Sequence, residues 1–141
     1  MEKPILEILE MICEHQLQPM EKVLSKSRKR EYVFCRQLAM TICYNARIES
    51  LAEIGSIIGG KDHATVLHAK KTIGNLCDYD RKIDKLYCEL ITKSRNILSR
   101  YNLDKRSIEY VWSKYLEAHK EMKKYRNLVR KRYKKLILTK I

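Results

Sequence analysis

The stretch that decides the fold is Ser50–Ala69, SLAEIGSIIGGKDHATVLHA. Ser50 followed three residues later by Glu53 forms an S-x-x-E capping box, which marks a helix start. The helix it opens, Leu51–Ile58, is stopped by Gly59-Gly60, because glycine accepts the left-handed backbone that closes a helix. Asp62 then caps a second helix, His63 to about Leu76. Two helices joined by a short glycine-containing turn make a helix-turn-helix, here Leu51–Ile73.

Working outward, the same helical periodicity recurs on both sides. Ile5, Leu6, Ile8, Leu9 and Ile12 place a helix over Pro4–His15, and Pro4 suits its first turn. Pro19 interrupts the pattern, and Met20–Leu24 is expected to be a short turn. The basic stretch Ser25–Arg30 (SKSRKR) comes next. Tyr32, Phe34, Cys35, Leu38, Ala39, Ile42 and Cys43 then predict a helix over Glu31–Arg47. Beyond the motif, Arg81–Arg100 reads as another helix, with Ile83, Leu86, Tyr87, Leu90, Ile91, Ile97 and Leu98 on one side. Asn102 and Asp104 mark a break. A last helix, about Lys105–Ile137, keeps near-heptad apolar spacing through Ile108, Val111, Trp112, Tyr115, Met122, Val129, Tyr133 and Leu136. The expected fold is all-α: a helix-turn-helix bundle with an added long C-terminal basic helix.

Charge divides the chain in the same place. Its 141 residues carry a net charge of +13, a surplus that favours a polyanionic partner, nucleic acid first. Residues 1–98 hold 16 basic and 13 acidic side chains, whereas 99–141 hold 14 and 4. Two segments with different electrostatic roles are therefore expected: 1–98, which holds the helix-turn-helix and is taken as the DNA-binding domain on that motif and the resemblance given below, and a basic amphipathic extension over 99–141.

Several function classes are disfavoured. No apolar run reaches the ~20 residues of a membrane span, and the N-terminus lacks the pattern of a secretory signal. Cys13, Cys35, Cys43, Cys77 and Cys88 are odd in number and show no C-x-x-C spacing. They read as buried thiols of a reducing compartment, not as disulfides or a metal site. No nucleophile–base pairing or carboxylate cluster suggests catalysis. No cofactor, metal or small-molecule substrate is expected, and the protein reads as a non-enzyme.

On a second helix lying in a major groove, the first residues meet base edges. Asp62 can accept from a cytosine amino group, and His63 can bond a purine edge. Ala64 and the Thr65 methyl can touch a thymine methyl. Asp62 serves as helix cap at the same time. Of Val66, Leu67, Ala69 and Ile73, part must face the core. Arg36-Gln37 is expected to support the fold, and His15 and His119 to fill surface or core.

The quoted stretch, with its G-G-K-D-H-x-T-V-L-H-A run, and the upstream SKSRKREYVFCRQLAM resemble the C-terminal DNA-binding domain of the bacterial replication initiator DnaA. The resemblance covers about residues 5–98 and is closest over 25–73. It implies a Trp-repressor-like bundle that binds a short, A·T-rich box in double-stranded DNA, in replication or transcription control. Base contacts would fall on Asp62, His63 and Ala64 in the major groove and on Arg28 in the minor groove. Phosphate contacts would fall on Lys26, Arg30, Lys61, Thr65 and His68, and on the helix start at Ser50, Leu51 and Ala52. Three departures stand out: Ala64 replaces a usual Thr, Tyr44 a common basic phosphate contact, and Cys35 a proline. No G-x-x-x-x-G-K-[ST] phosphate loop occurs, so nucleotide switching is not expected. A stand-alone relative in the bacterial cytoplasm or nucleoid, encoded by a phage or mobile element, fits this picture. Residues 105–141 would serve a homodimer, a protein partner or a phosphate grip. The alternatives are a non-specific packaging protein, an interaction module built on the C-terminal helix and, as a lesser reading, a membrane-surface helix.

Overall fold

A computed structural model describes residues 2–101 and 105–139, with side chains for 4–101 and 113–135. Every regular element among the described residues is α-helical: α1 Glu2–His15, α2 Met20–Leu24, α3 Arg30–Asn45, α4 Leu51–Ile57, α5 His63–Tyr79, α6 Arg81–Ser99 and α7 Lys105–Thr139. They divide into two compact units, Met1–Leu103 and Asp104–Ile141. No helix among the described residues is long and apolar enough to cross a membrane.

The first unit is built around α3, which touches α1, α2, α4, α5 and α6. Its central position explains its composition. An ordinary surface helix has one apolar stripe, whereas α3 buries every residue from Leu38 to Cys43, with Cys35 and Arg36 one turn earlier. Against it, α1 presents Ile5, Ile8, Leu9 and Ile12, α5 presents Val66, Ala69 and Ile73, and α6 presents Tyr87, Leu90 and Ile91. Full burial of each such aliphatic side chain is worth roughly 1.5–3 kcal/mol. Buried polar groups are satisfied locally: Ser94 Oγ donates to Leu90 O at 2.7 Å and Thr41 Oγ1 to Gln37 O at 2.7 Å. Tyr87 accepts at its hydroxyl from Asn45 Nδ2 at 2.8 Å, tying α3 to α6.

The departures from expectation lie mainly at helix ends. Met20–Leu24 is a five-residue helix and not a simple turn. Helix α3 stops at Asn45, two residues before the expected Arg47, which adopts φ 52°. That left-handed residue lets Ile48 N–H reach back to Cys43 O at 3.4 Å, and Ile48 is buried. Helix α5 runs three residues past Leu76 to Tyr79, until Asp80 begins α6. Cys13, Cys35, Cys43 and Cys77 are buried, but Cys88 is only half-buried. Complete burial pushes the Cys43 thiol up to about 12. His15 is half-buried beside the Glu89 carboxylate, 3.7 Å away.

The turn between α4 and α5 has the tightest geometry. Helix α4 starts at Ser50, whose Oγ accepts from Glu53 N–H at 3.3 Å. It ends at Ile58, and Gly59 (φ 80°) and Gly60 (φ 63°) reverse the chain. Lys61 N–H then donates to Gly55 O at 2.7 Å. The returning strand lies directly on Gly55: a Cβ there would sit 2.6 Å from Lys61 O and 2.8 Å from Asp62 O. Asp62 caps α5, its Oδ1 accepting from Thr65 N–H at 2.9 Å and from Thr65 Oγ1 at 2.8 Å.

Two outcomes follow. Alanine ordinarily suits a helix better than glycine, yet Gly55→Ala should destabilise the protein by about 1–3 kcal/mol, because backbone must move to admit the methyl; urea denaturation reads this. The bonds from Thr65 hold the Asp62 carboxyl below its usual pKa of 3.8. A lowered folded-state pKa means its stabilisation is complete above the unfolded value and is lost as pH falls through the folded one. The Thr65 amide resonance should therefore titrate with a midpoint below 3.8 in the wild type, and should not titrate in Asp62→Asn.

Candidate nucleic-acid interface

One face of α5 is left uncovered. His63, Ala64, Leu67, His68 and Lys71 are exposed, while Val66, Ala69 and Ile73 on the other side are buried. The spacing i, i+1, i+4, i+5, i+8 is a single helical stripe. Of the apolar set left open by the sequence, Leu67 is the member that faces outward, 45% exposed. Asp62 is exposed immediately before this stripe, and as an ionised carboxylate it has acceptor capacity beyond the two Thr65 bonds. Thr65 is half-buried and gives both its N–H and its hydroxyl to Asp62, so in this state it fixes the cap. His68 lies 3.4 Å from Thr72 Oγ1. The helix start also carries unsatisfied N–H groups and a partial positive charge, which suit an anion.

The second element of the candidate interface is the basic loop. Lys26, Arg28, Lys29 and Arg30 are all exposed. Their backbone is held by serines: Ser27 N–H donates to Ser25 Oγ at 3.2 Å and Lys29 N–H to Ser27 Oγ at 3.3 Å. Beneath them lies Arg36, 5% exposed, whose Nε donates to Val23 O at 2.6 Å and whose Nη2 donates to Ser27 O. Burial lowers its pKa from the usual arginine value. The turn meets the same arginine: a Cβ at Gly59 would lie 3.6 Å from Arg36 Cδ and 3.7 Å from Leu24 O. The basic loop and the Gly-Gly turn are thus set against one buried guanidinium. Lys61 is half-buried in that turn.

On the α4 side, Ser50 and Ala52 are exposed and Leu51 is half-buried. The Ser50 hydroxyl oxygen is engaged in capping.

Three features escaped the sequence reading. Lys71 continues the His63–Leu67 row by one turn, and the i+4 spacing alone could have found it. Lys70 Nζ sits 4.4 Å above the centroid of the half-buried Tyr44 ring, a cation–π contact joining α5 to α3. No pattern in the sequence pairs residues so far apart. Gly55 was legible only as an unexplained glycine inside a short helix.

Comparison with known proteins agrees with this geometry. A family described as the bacterial dnaA protein helix-turn-helix matches residues 5–73. The chromosomal replication initiator protein DnaA of Bacteroides fragilis is 40% identical over 93 residues, covering 64% of this chain and 20% of the relative. The protein of the same name from Flavobacterium psychrophilum is 47% identical over 74 residues, covering 52% and 16%. That from Thermus thermophilus is 38% identical over 81 residues, covering 57% and 19%. The chain thus spans about a fifth of the length of these relatives, with 20% for the first of them. Residues 5–73, which hold α4, the Gly-Gly turn and the exposed start of α5, are homologous to the bacterial DnaA helix-turn-helix domain.

Proposed function

We propose that this protein binds a specific site in double-stranded DNA, a DnaA-box-like sequence, through the start of α5 and the basic loop before α3. The observation that carries the reading is the exposure of Asp62, His63 and Ala64 at a capped helix start, together with four exposed cations in the loop before α3. In the major groove, Asp62 accepts from a cytosine amino group, His63 bonds a purine edge, and Ala64 touches a thymine methyl. Arg28 enters the adjacent minor groove, where A·T-rich sequence narrows the groove and deepens its negative potential. Lys26, Arg30, Lys61, His68 and Lys71 reach phosphates, which set register without reading sequence. The 141 residues contain no phosphate-loop motif, so this binding proceeds without nucleotide hydrolysis by them. Control of replication or transcription at such a site is the role that fits.

In-vitro selection from a random duplex library should yield one enriched box. Competition at physiological salt should favour it over random duplex by about 10³ or more. A ratio below about tenfold would leave a packaging role as the better description. His63→Ala should cost roughly 1–3 kcal/mol at a single base pair of the box, and equal loss on every sequence would count against base readout.

Tyr44 occupies a position where the resemblance implies a basic contact, and Lys70 lies over its ring. The cation at this edge of the site is then supplied from α5, oriented by the aromatic face. Lys70→Ala should weaken binding to all duplexes alike and reduce the slope of log affinity against log salt by about one. Tyr44→Leu should reproduce part of that loss while leaving the selected box unchanged.

A further inference from the structure

The second unit carries a pattern that DNA reading by the first does not use. From Ile108 one series of apolar residues steps by three and four in strict alternation, Val111, Tyr115, Ala118, Met122, Tyr125, Val129, while Tyr110, Trp112, Leu116 and Leu128 lie outside it. With Ile108 at heptad position a, these fill every a and d position until Arg132 ends the series. A filled a and d series is the seam of a coiled coil. The exposed apolar side chains of α7 respect the same register. Met122 and Val129 at a, Tyr125 at d, Leu128 at g and Tyr133 at e are between 47% and 66% exposed. None of these five falls at b, c or f.

The charges sort themselves by position as well. Between 122 and 135 there are eight basic and no acidic side chains. Five of the eight, Lys123, Lys124, Arg130, Lys131 and Lys134, occupy b, c and f, which point away from a seam. The flanking positions hold a complementary pair: Glu121 at g and Arg126 at e of the next heptad. In a parallel two-stranded coil, residue g of one helix meets the following e of its partner. Glu121 would then face Arg126 of the second copy on both sides of the twofold axis, and Leu128 would face Tyr133 one heptad later. An isologous interface requires this self-complementarity. An acidic foreign helix would instead set its charge against Glu121.

We infer that α7 pairs with α7 of a second copy of this chain as a parallel coiled coil along the Ile108–Val129 seam. Pairing leaves the lysines and arginines at b, c and f on the outside, where salt screens their mutual repulsion. It also joins two box-reading units, so that a duplex with two boxes is gripped at a raised effective concentration.

Sedimentation equilibrium of the full chain in the tens of micromolar should give twice the monomer mass. Val129→Asp should weaken the dimer by at least about tenfold. Glu121→Arg and Arg126→Glu should each weaken it, and the double variant Glu121→Arg/Arg126→Glu should restore it, a recovery that general loss of folding cannot produce. Far-UV circular dichroism on each variant checks that α7 stays helical. A wild-type monomer at these concentrations overturns the inference, as does a dimer indifferent to Val129→Asp or a charge swap without recovery. Strengthening by Glu121→Gln would also overturn it, since that outcome requires an antiparallel pair with Glu121 near its own copy. So would capture of a monomer by phosphatidylserine-containing vesicles that Val129→Asp abolishes.

Discussion

The site depends on one close approach of backbone to backbone. The chain leaving α4 turns through Gly59 and Gly60 and comes back over Gly55, so near that no side chain fits between. This contact fixes where Lys61 and Asp62 lie, and Asp62 in turn fixes the first turn of α5 through Thr65. The direction in which His63 and Ala64 project is therefore decided by three glycines that contribute no side chain to the site. A longer or looser turn would let α5 roll on α3, and the exposed stripe would lose its register with the basic loop.

Much of this was legible in the sequence. Helix existence followed from apolar spacing, because α1, α5 and α6 each present one stripe to a shared core. The Ser50 and Asp62 caps were readable because capping is local chemistry within four residues. What was not legible is non-local. The left-handed Arg47 answers to the burial of Ile48, not to any turn residue. The helical character of Met20–Leu24 comes from Val23 being buried in the domain. The stack of Lys70 on Tyr44 joins residues on two helices whose pairing only the packed core creates. In the site, residue types suggested which side chains matter, but only packing separated Leu67, outside, from Val66, inside.

The two units use basic residues in different ways. In the first, cations are few and placed: a loop held by serine oxygens, and single lysines at the turn and along α5. In α7 they are many and distributed, five of the eight between 122 and 135 lying at positions away from its apolar seam. Placed cations give register on a ligand, and distributed cations give attraction without register.

Arg36 bears on the electrostatics of the whole reading face. Its Nε and Nη2 donate to the carbonyls of Val23 and Ser27, which are neutral, rather than to a carboxylate. A guanidinium held by peptide oxygens keeps its full charge, and low-polarity surroundings screen it less than water would. The buried arginine therefore acts as a standing source of positive potential behind the exposed loop. An approaching polyanion would feel it most strongly within about one Debye length of the surface, roughly 8 Å at physiological salt.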